Sequence, residues 1–207
     1  MKCRGRIRLP LLAATWLLVA TLGLLWLADY DSKPGHPATP PSRWPSRVSL
    51  ARNSSKPTLL MFLHPRCPCS RASLYELARL PQSERDQLVL HVVFAQPMEV
   101  AADWSHTDLW KNAVANRNVQ VVIDQGGLLA QQFGAKTSGQ VLIYDHQGTL
   151  RFDGGITPGR GHTGDSFGRS IVRAIAVGHA PEKSANCATF GCLLLANSMP
   201  DDSDRSP

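Results

Sequence analysis

Cys67-Pro68-Cys69 lies between a short apolar run, Leu59-Leu60-Met61-Phe62-Leu63, and a stretch whose leucines Leu74 and Leu77 fall at helical spacing. A thiol there opens a helix. Unpaired backbone N–H groups and the positive end of the helix dipole favour the thiolate, pulling the pKa below its ordinary value of about 8.5. Arg66 and Arg71 flank the pair and favour the same charge. The thiolate is the species that attacks a disulfide or a peroxide, which makes Cys67 the candidate nucleophile and Cys69 its nearest resolving partner. A Cys-Pro-Cys ring would be strained, and strained bridges are the more oxidising ones. Cys187 and Cys192 are the other candidates, as a resolving thiol or as a structural disulfide closing the tail. Of the five cysteines, Cys3 lies before the apolar amino-terminal run; the remaining four allow three pairings.

The elements that must hold this site alternate. Leu59–Leu63 has the length of a fully buried strand, and Pro81 stops the helix after it. Leu88–Ala95 and Val119–Ile123 are further strands, rich in β-branched residues. Asp124-Gln125-Gly126-Gly127 turns the chain into a short helix ending near Phe133-Gly134. Val141–Tyr144 and Thr149–Phe152 flank Asp145-His146-Gln147-Gly148, a hairpin signal, and Phe167–Val177 carries Ile171, Val172 and Ile175 as a last helix. This order predicts an α/β domain with a mixed sheet. The connection 154–165 contains five glycines, as a loop beside an active site would need. In it Arg160 could stabilise a thiolate or bind an anion, His162 could carry a proton, and Asp165 could cap the following helix. Trp104 and Trp110 read as packing residues and His91 as a core-edge histidine.

The segments HPRCPCSRASLYEL, FGAKTSGQVLIYDHQGTLRFDGGIT, RGH and FGC resemble the thioredoxin-like superfamily, in particular the membrane-anchored bacterial redoxin-type (RedB-like) proteins, over roughly residues 56–192. That resemblance implies a central mixed β-sheet flanked by helices, with the active cysteine at the amino end of the first helix after a strand. The sequence departs from the superfamily's reductases at two points. Ser70 stands where the second cysteine of Cys-x-x-Cys would be, and Gly139 stands where a cis-proline would precede the strand facing the site. The peroxiredoxin threonine, three residues before the active cysteine, is replaced by His64.

The net charge of +6 comes from 22 basic and 16 acidic residues, but Lys2, Arg4, Arg6 and Arg8 supply four of the excess charges. The body is nearly balanced, so a nucleic-acid reading loses its main support and no nucleic-acid partner is expected. The run Leu9–Ala28 spans about 30 Å as a helix, the thickness of a bilayer's hydrocarbon core. Its length argues for a retained anchor over a cleaved signal, and the basic cluster before it places the amino terminus in the cytoplasm. The expected organisation is a basic tail (1–8), a transmembrane signal anchor (9–28), a Pro-rich linker acting as a stalk (29–55), a thioredoxin-like domain (56–180) and a cysteine-containing extension (181–207) with a disordered end.

The function expected is thiol–disulfide exchange outside the cytoplasm, on the inner membrane with the domain facing the periplasm or cell exterior. Its partners would be cysteine-containing extracytoplasmic proteins or a membrane electron donor, and the chemistry needs no cofactor. A soft-metal module, for instance for Cu(I), held by Cys67, Cys69 and His64 or His162 is the alternative. A thiol peroxidase is the third option.

Overall fold

The computed structural model describes residues 8–195. The basic residues Lys2, Arg4 and Arg6, Cys3, and the acidic end expected to be disordered lie outside the described residues.

The described residues divide into two compact units, one ending at Lys33 and the other beginning at Pro34. The first is built on α1 (Arg8–Ser32), whose 25 residues make it about 37 Å long. Leu9–Ser32 is long and apolar enough to cross a membrane, with a mean hydropathy of 2.1. Its two interior hydroxyls cause no unpaired polar group there. Thr15 donates to the Leu11 carbonyl and Thr21 to that of Leu17.

The second unit contains β1 (Thr58–Leu63), α2 (Pro68–Ala78), α3 (Gln82–Arg85), β2 (Val89–Gln96), α4 (Asp108–Ala115), β3 (Val119–Gln125), α5 (Leu128–Gln132), β4 (Gln140–Tyr144), β5 (Leu150–Gly155), α6 (Phe167–Ala176) and β6 (Ala185–Asn186). The strands form one mixed sheet in the order β3-β2-β1-β4-β5-β6. β1, β2 and β3 run parallel, β4 is antiparallel to β1 and β5, and β6 joins β5 in parallel. Every residue of the central β1 is buried, which explains its unbroken apolar run.

The two faces of the sheet are covered differently. Leu59, Met61 and Leu63 of β1 point into a core with Leu74 and Leu77 of α2, Leu109 of α4, and Val172 and Ile175 of α6. Leu60 and Phe62 point to the other face, where α5 supplies Leu129 and Ala130. A five-residue helix cannot cover that face. The remainder is closed by Phe133, by Trp44 from the segment before β1, and by Leu194 from the tail.

The Pro-rich segment therefore differs from the extended stalk expected of it. From Pro34 it belongs to the domain. Trp44 packs edge-on against Phe133 and Tyr144, with centroids 5.0 and 5.3 Å apart. The Tyr144 hydroxyl donates to the Pro41 carbonyl (2.9 Å), and the Leu150 and Trp44 amides bond the Ser42 and Gly148 carbonyls. Its prolines prevent regular structure but not burial against an uncovered apolar sheet.

Candidate active site

Cys67 is the residue capping the amino end of α2, with extended backbone angles (φ −99°, ψ 130°) and Pro68 at the first helical position. Proline suits that position because its missing N–H would be unpaired there. β1 ends at Leu63, and His64-Pro65-Arg66 carries the chain into the helix, where the Cys67 amide donates to the His64 carbonyl (3.2 Å).

Three thiols converge at this point. The sulfurs of Cys67, Cys69 and Cys192 all lie within 4.8 Å of one another, and those of Cys67 and Cys192 are 3.2 Å apart. Cys67 and Cys69 are buried, whereas Cys192 is exposed. The Cys67 pKa falls to about 4. The largest cause is a hydrogen bond from the Cys69 thiol; burial opposes it, and the Cys192 thiol and the Ser70 backbone add to it. The Cys69 thiol is pushed far up, first by that same hydrogen bond and then by burial, and stays protonated. Cys192 is raised too, by burial first and then by its bond to Cys67, with the charge of Arg160 acting the other way.

The thiolate is thus held by sulfur and backbone donors. The Arg66 guanidinium lies 4.8 Å over the Trp104 ring, and Arg71 lines a cleft with Arg66, Cys67, Pro68 and Thr107. Trp104, which reads as packing from sequence, also meets the edge of His64 at 5.5 Å and so forms part of the rim. The His64 ring accepts the Arg66 amide through Nδ1 (3.2 Å), and its pKa is lowered chiefly by burial.

The two departures from the reductase pattern have a common structural basis. Ser70 is fully buried; its hydroxyl donates to the His64 carbonyl (2.7 Å) and contacts the Ser138 hydroxyl, which in turn accepts the His64 amide (3.0 Å). A small polar network thus ties α2 to the loop opposite. Gly139 follows with φ +92° and donates its N–H to the Phe62 carbonyl (2.8 Å). Proline offers neither that dihedral nor that donor. No peptide bond among the described residues is cis.

Cys192 is a candidate from sequence, but the course by which the tail brings it to Cys67 is not legible there. Residues 187 and 188 run beside β5, and residues 192–194 lie antiparallel beside 136–138. Thr137 pairs with Leu193, the Ser138 amide donates to the Cys192 carbonyl (2.8 Å), and the Leu194 amide donates to the Lys136 carbonyl (2.9 Å). Arg160 clamps the strap by donating from Nη1 to the Gly191 carbonyl (2.7 Å). Gly191 is required by space, since a Cβ there would fall 1.9 Å from the Ser138 carbonyl oxygen. The signal in the sequence is the apolar Leu193-Leu194-Leu195 in an otherwise polar tail, of which Leu194 is buried.

Cys187 faces elsewhere. Its thiol donates to the Gly155 carbonyl (3.3 Å), so the two tail cysteines, both free thiols, address different partners and do not form the closing disulfide considered from sequence. The Gly-rich loop reaches the site through the Gly161 amide, which bonds Cys69, while the His162 amide donates to the Gly159 carbonyl (3.4 Å). The cap of α6 is Ser166, which accepts the Arg169 amide; the expected Asp165 instead pairs with the Arg169 guanidinium at 2.8 Å. For a soft metal, the thiols of Cys67, Cys69 and Cys192 form the available donor set, and His64 lies outside it.

A parallel β1-α2-β2 unit and an antiparallel β4-β5-α6 unit share one sheet, with a low-pKa cysteine where β1 meets α2. This is a thioredoxin-like fold. No family model matches the chain, and no curated protein matches its sequence. Among solved structures it is similar to an uncharacterized conserved protein from Geobacillus kaustophilus (18% identity, TM-score 0.55), covering 77% of this chain and 96% of that one. It is also similar to a hypothetical protein from Sinorhizobium meliloti 1021 (17% identity, TM-score 0.53), covering 68% of this chain and 80% of that one. A secreted Mycobacterium tuberculosis disulfide oxidoreductase homologous to E. coli DsbE aligns with a TM-score of 0.42 at 13% identity, over 59% of this chain and 81% of that one.

Proposed function

We propose that the protein is a membrane-anchored thiol–disulfide oxidoreductase acting on cysteines of proteins outside the cytoplasm. The observation that carries this reading is the Cys67 thiol at the mouth of α2, its pKa lowered to about 4 by neighbouring thiol and backbone donors. Such a sulfur is ionised at neutral pH and is also a good leaving group, so a mixed disulfide at Cys67 forms and is displaced readily. The Cys67 thiolate attacks a client disulfide, forming a Cys67–client bond and releasing the other client sulfur as thiolate. A second thiol of the cluster then displaces the client. Trp104, Arg66 and Arg71 form the rim a client would meet. α1 supplies the anchor, with the basic residues before it on the cytoplasmic side of the inner membrane. Reduction of a protein disulfide by the reduced chain tests the reading: Cys67→Ala abolishes it, and full activity in that variant refutes the assignment.

The three convergent sulfurs favour a second reading, a soft-metal carrier that would hold Cu(I) in a trigonal thiolate set. Titration of the reduced chain with Cu(I) against a chelating indicator separates the two. Tight one-to-one binding lost in Cys192→Ser supports the carrier, and absence of tight binding removes it.

A further inference from the structure

Resting on the disulfide-exchange reading, we infer that Cys192 is the thiol that resolves a mixed disulfide at Cys67, and that the tail is a built-in strand delivering it. Three observations meet here. The Cys67 and Cys192 sulfurs are 3.2 Å apart although the residues are 125 positions apart in sequence. A disulfide needs about 2.05 Å, so closing the bridge takes a movement of only about 1.2 Å. The strap is held on both sides of Cys192, by Arg160 on the Gly191 carbonyl and by the Thr137–Leu193 pairing, so the placement is built and not incidental. The strap also runs antiparallel to 136–138, along the loop that faces Cys67, in the manner of an extended peptide adding to an exposed edge. The tail occupies its own chain's peptide-binding edge and brings a cysteine to the nucleophile there.

Cys69 is the worse resolver on geometry. Its thiol is within reach of Cys67, but it sits one helical position past Pro68, so a bridge between them closes a small ring through the proline at the head of α2. Closing a Cys67–Cys69 ring would unwind the first turn of α2, whose proline dihedral is fixed. Its thiol instead donates to Cys67 and accepts the Gly161 amide, a fit for a residue that stabilises the thiolate. Arg160 provides a cation near Cys192 that favours its ionisation.

The step balances. With a disulfide substrate R–S–S–R′, the Cys67 thiolate forms Cys67–S–S–R and releases R′S⁻. The Cys192 thiol loses its proton to water, attacks the Cys67 sulfur, and releases RS⁻. The chain ends oxidised by two electrons as a Cys67–Cys192 disulfide, and the substrate disulfide is reduced to two thiols.

The test uses the reduced full-length chain in detergent, reacted with glutathione disulfide, quenched with acid and mapped by mass spectrometry. Wild type is expected to yield a Cys67–Cys192 bridge. Cys192→Ser is expected to hold glutathione on Cys67 about tenfold longer or more, because Cys69 is left as the nearby thiol and its bridge closes poorly. Cys69→Ser, with a less stabilised thiolate, still clears glutathione and forms the bridge. A Cys67–Cys69 or Cys187–Cys192 bridge in wild type, or clearance in Cys192→Ser at the wild-type rate, overturns the inference and leaves the oxidoreductase reading standing. If no chain, wild type or variant, forms either an adduct or a bridge at Cys67, the oxidoreductase reading falls and the inference with it.

Discussion

The depressed pKa of Cys67 makes a prediction that is clearest away from neutral pH. An ordinary cysteine of pKa about 8.5 is roughly 3% ionised at pH 7 and about 0.03% ionised at pH 5. With a pKa of about 4, Cys67 is essentially fully ionised at pH 7 and about 90% ionised at pH 5. The low pKa also weakens the nucleophile: with a Brønsted slope of about 0.45, 4.5 units of pKa reduce intrinsic reactivity about 100-fold. At pH 7 the roughly 30-fold gain in thiolate is more than offset, and Cys67 alkylates no faster than a free peptide. At pH 5 the gain is about 3,000-fold, and Cys67 reacts about 30-fold faster than the peptide if equally accessible.

Burial of Cys67 slows both measurements by the same factor, so the ratio of rates is the sound readout. Between pH 7 and 5 the peptide slows about 100-fold and Cys67 by about a tenth. Pulse labelling with iodoacetamide, resolved to Cys67 by fragment spectra, measures this. A Cys67 rate that drops tenfold per pH unit between 7 and 5 would show that the sulfur is not ionised, and the electrostatic account of the site would be refuted.

Three further outcomes follow from the same geometry. Cys69→Ala removes the principal donor to the thiolate, so the acid limb of the Cys67 labelling profile moves to higher pH, toward the ordinary cysteine value. Gly191→Ala puts a methyl group against the Ser138 carbonyl and parts the strap from 136–138, raising Cys67 labelling at any pH while lowering the yield of a Cys67–Cys192 bridge. Leu194→Ala empties a buried site on the second face and should cost about 2–5 kcal/mol, read as a lower denaturant midpoint.

Local pattern carried much of the architecture. β1 follows from its apolar run, the β4–β5 hairpin from Asp145-His146-Gln147-Gly148, and α6 from Ile171, Val172 and Ile175 at helical spacing. Cys67 at the head of α2 was legible because a buried strand running straight into helical spacing leaves the intervening cysteine only that position. The rest depends on contacts between residues far apart in sequence. Nothing local reveals that Trp44 and Leu194 fill one face of the sheet, because the need arises from α5 being too short to cover it. Cys192 is likewise placed by backbone pairing with 136–138, and a two-residue gap in the Cys-x-x-Cys sense gives no hint of it. Trp104 joins the site through rings it meets only in three dimensions.

Both chain ends of the domain serve as its second layer, and this determines how the protein can be cut. A fragment trimmed to the apparent α/β body, 56–180, sheds Trp44 and Leu194 together and bares Phe133 and the side of the sheet carrying Leu60 and Phe62. That surface would drive self-association, and the same cut would remove the third sulfur of the cluster. A version without α1 that keeps both the covered sheet and the three sulfurs together must retain Trp44 at one end and Cys192 and Leu194 at the other.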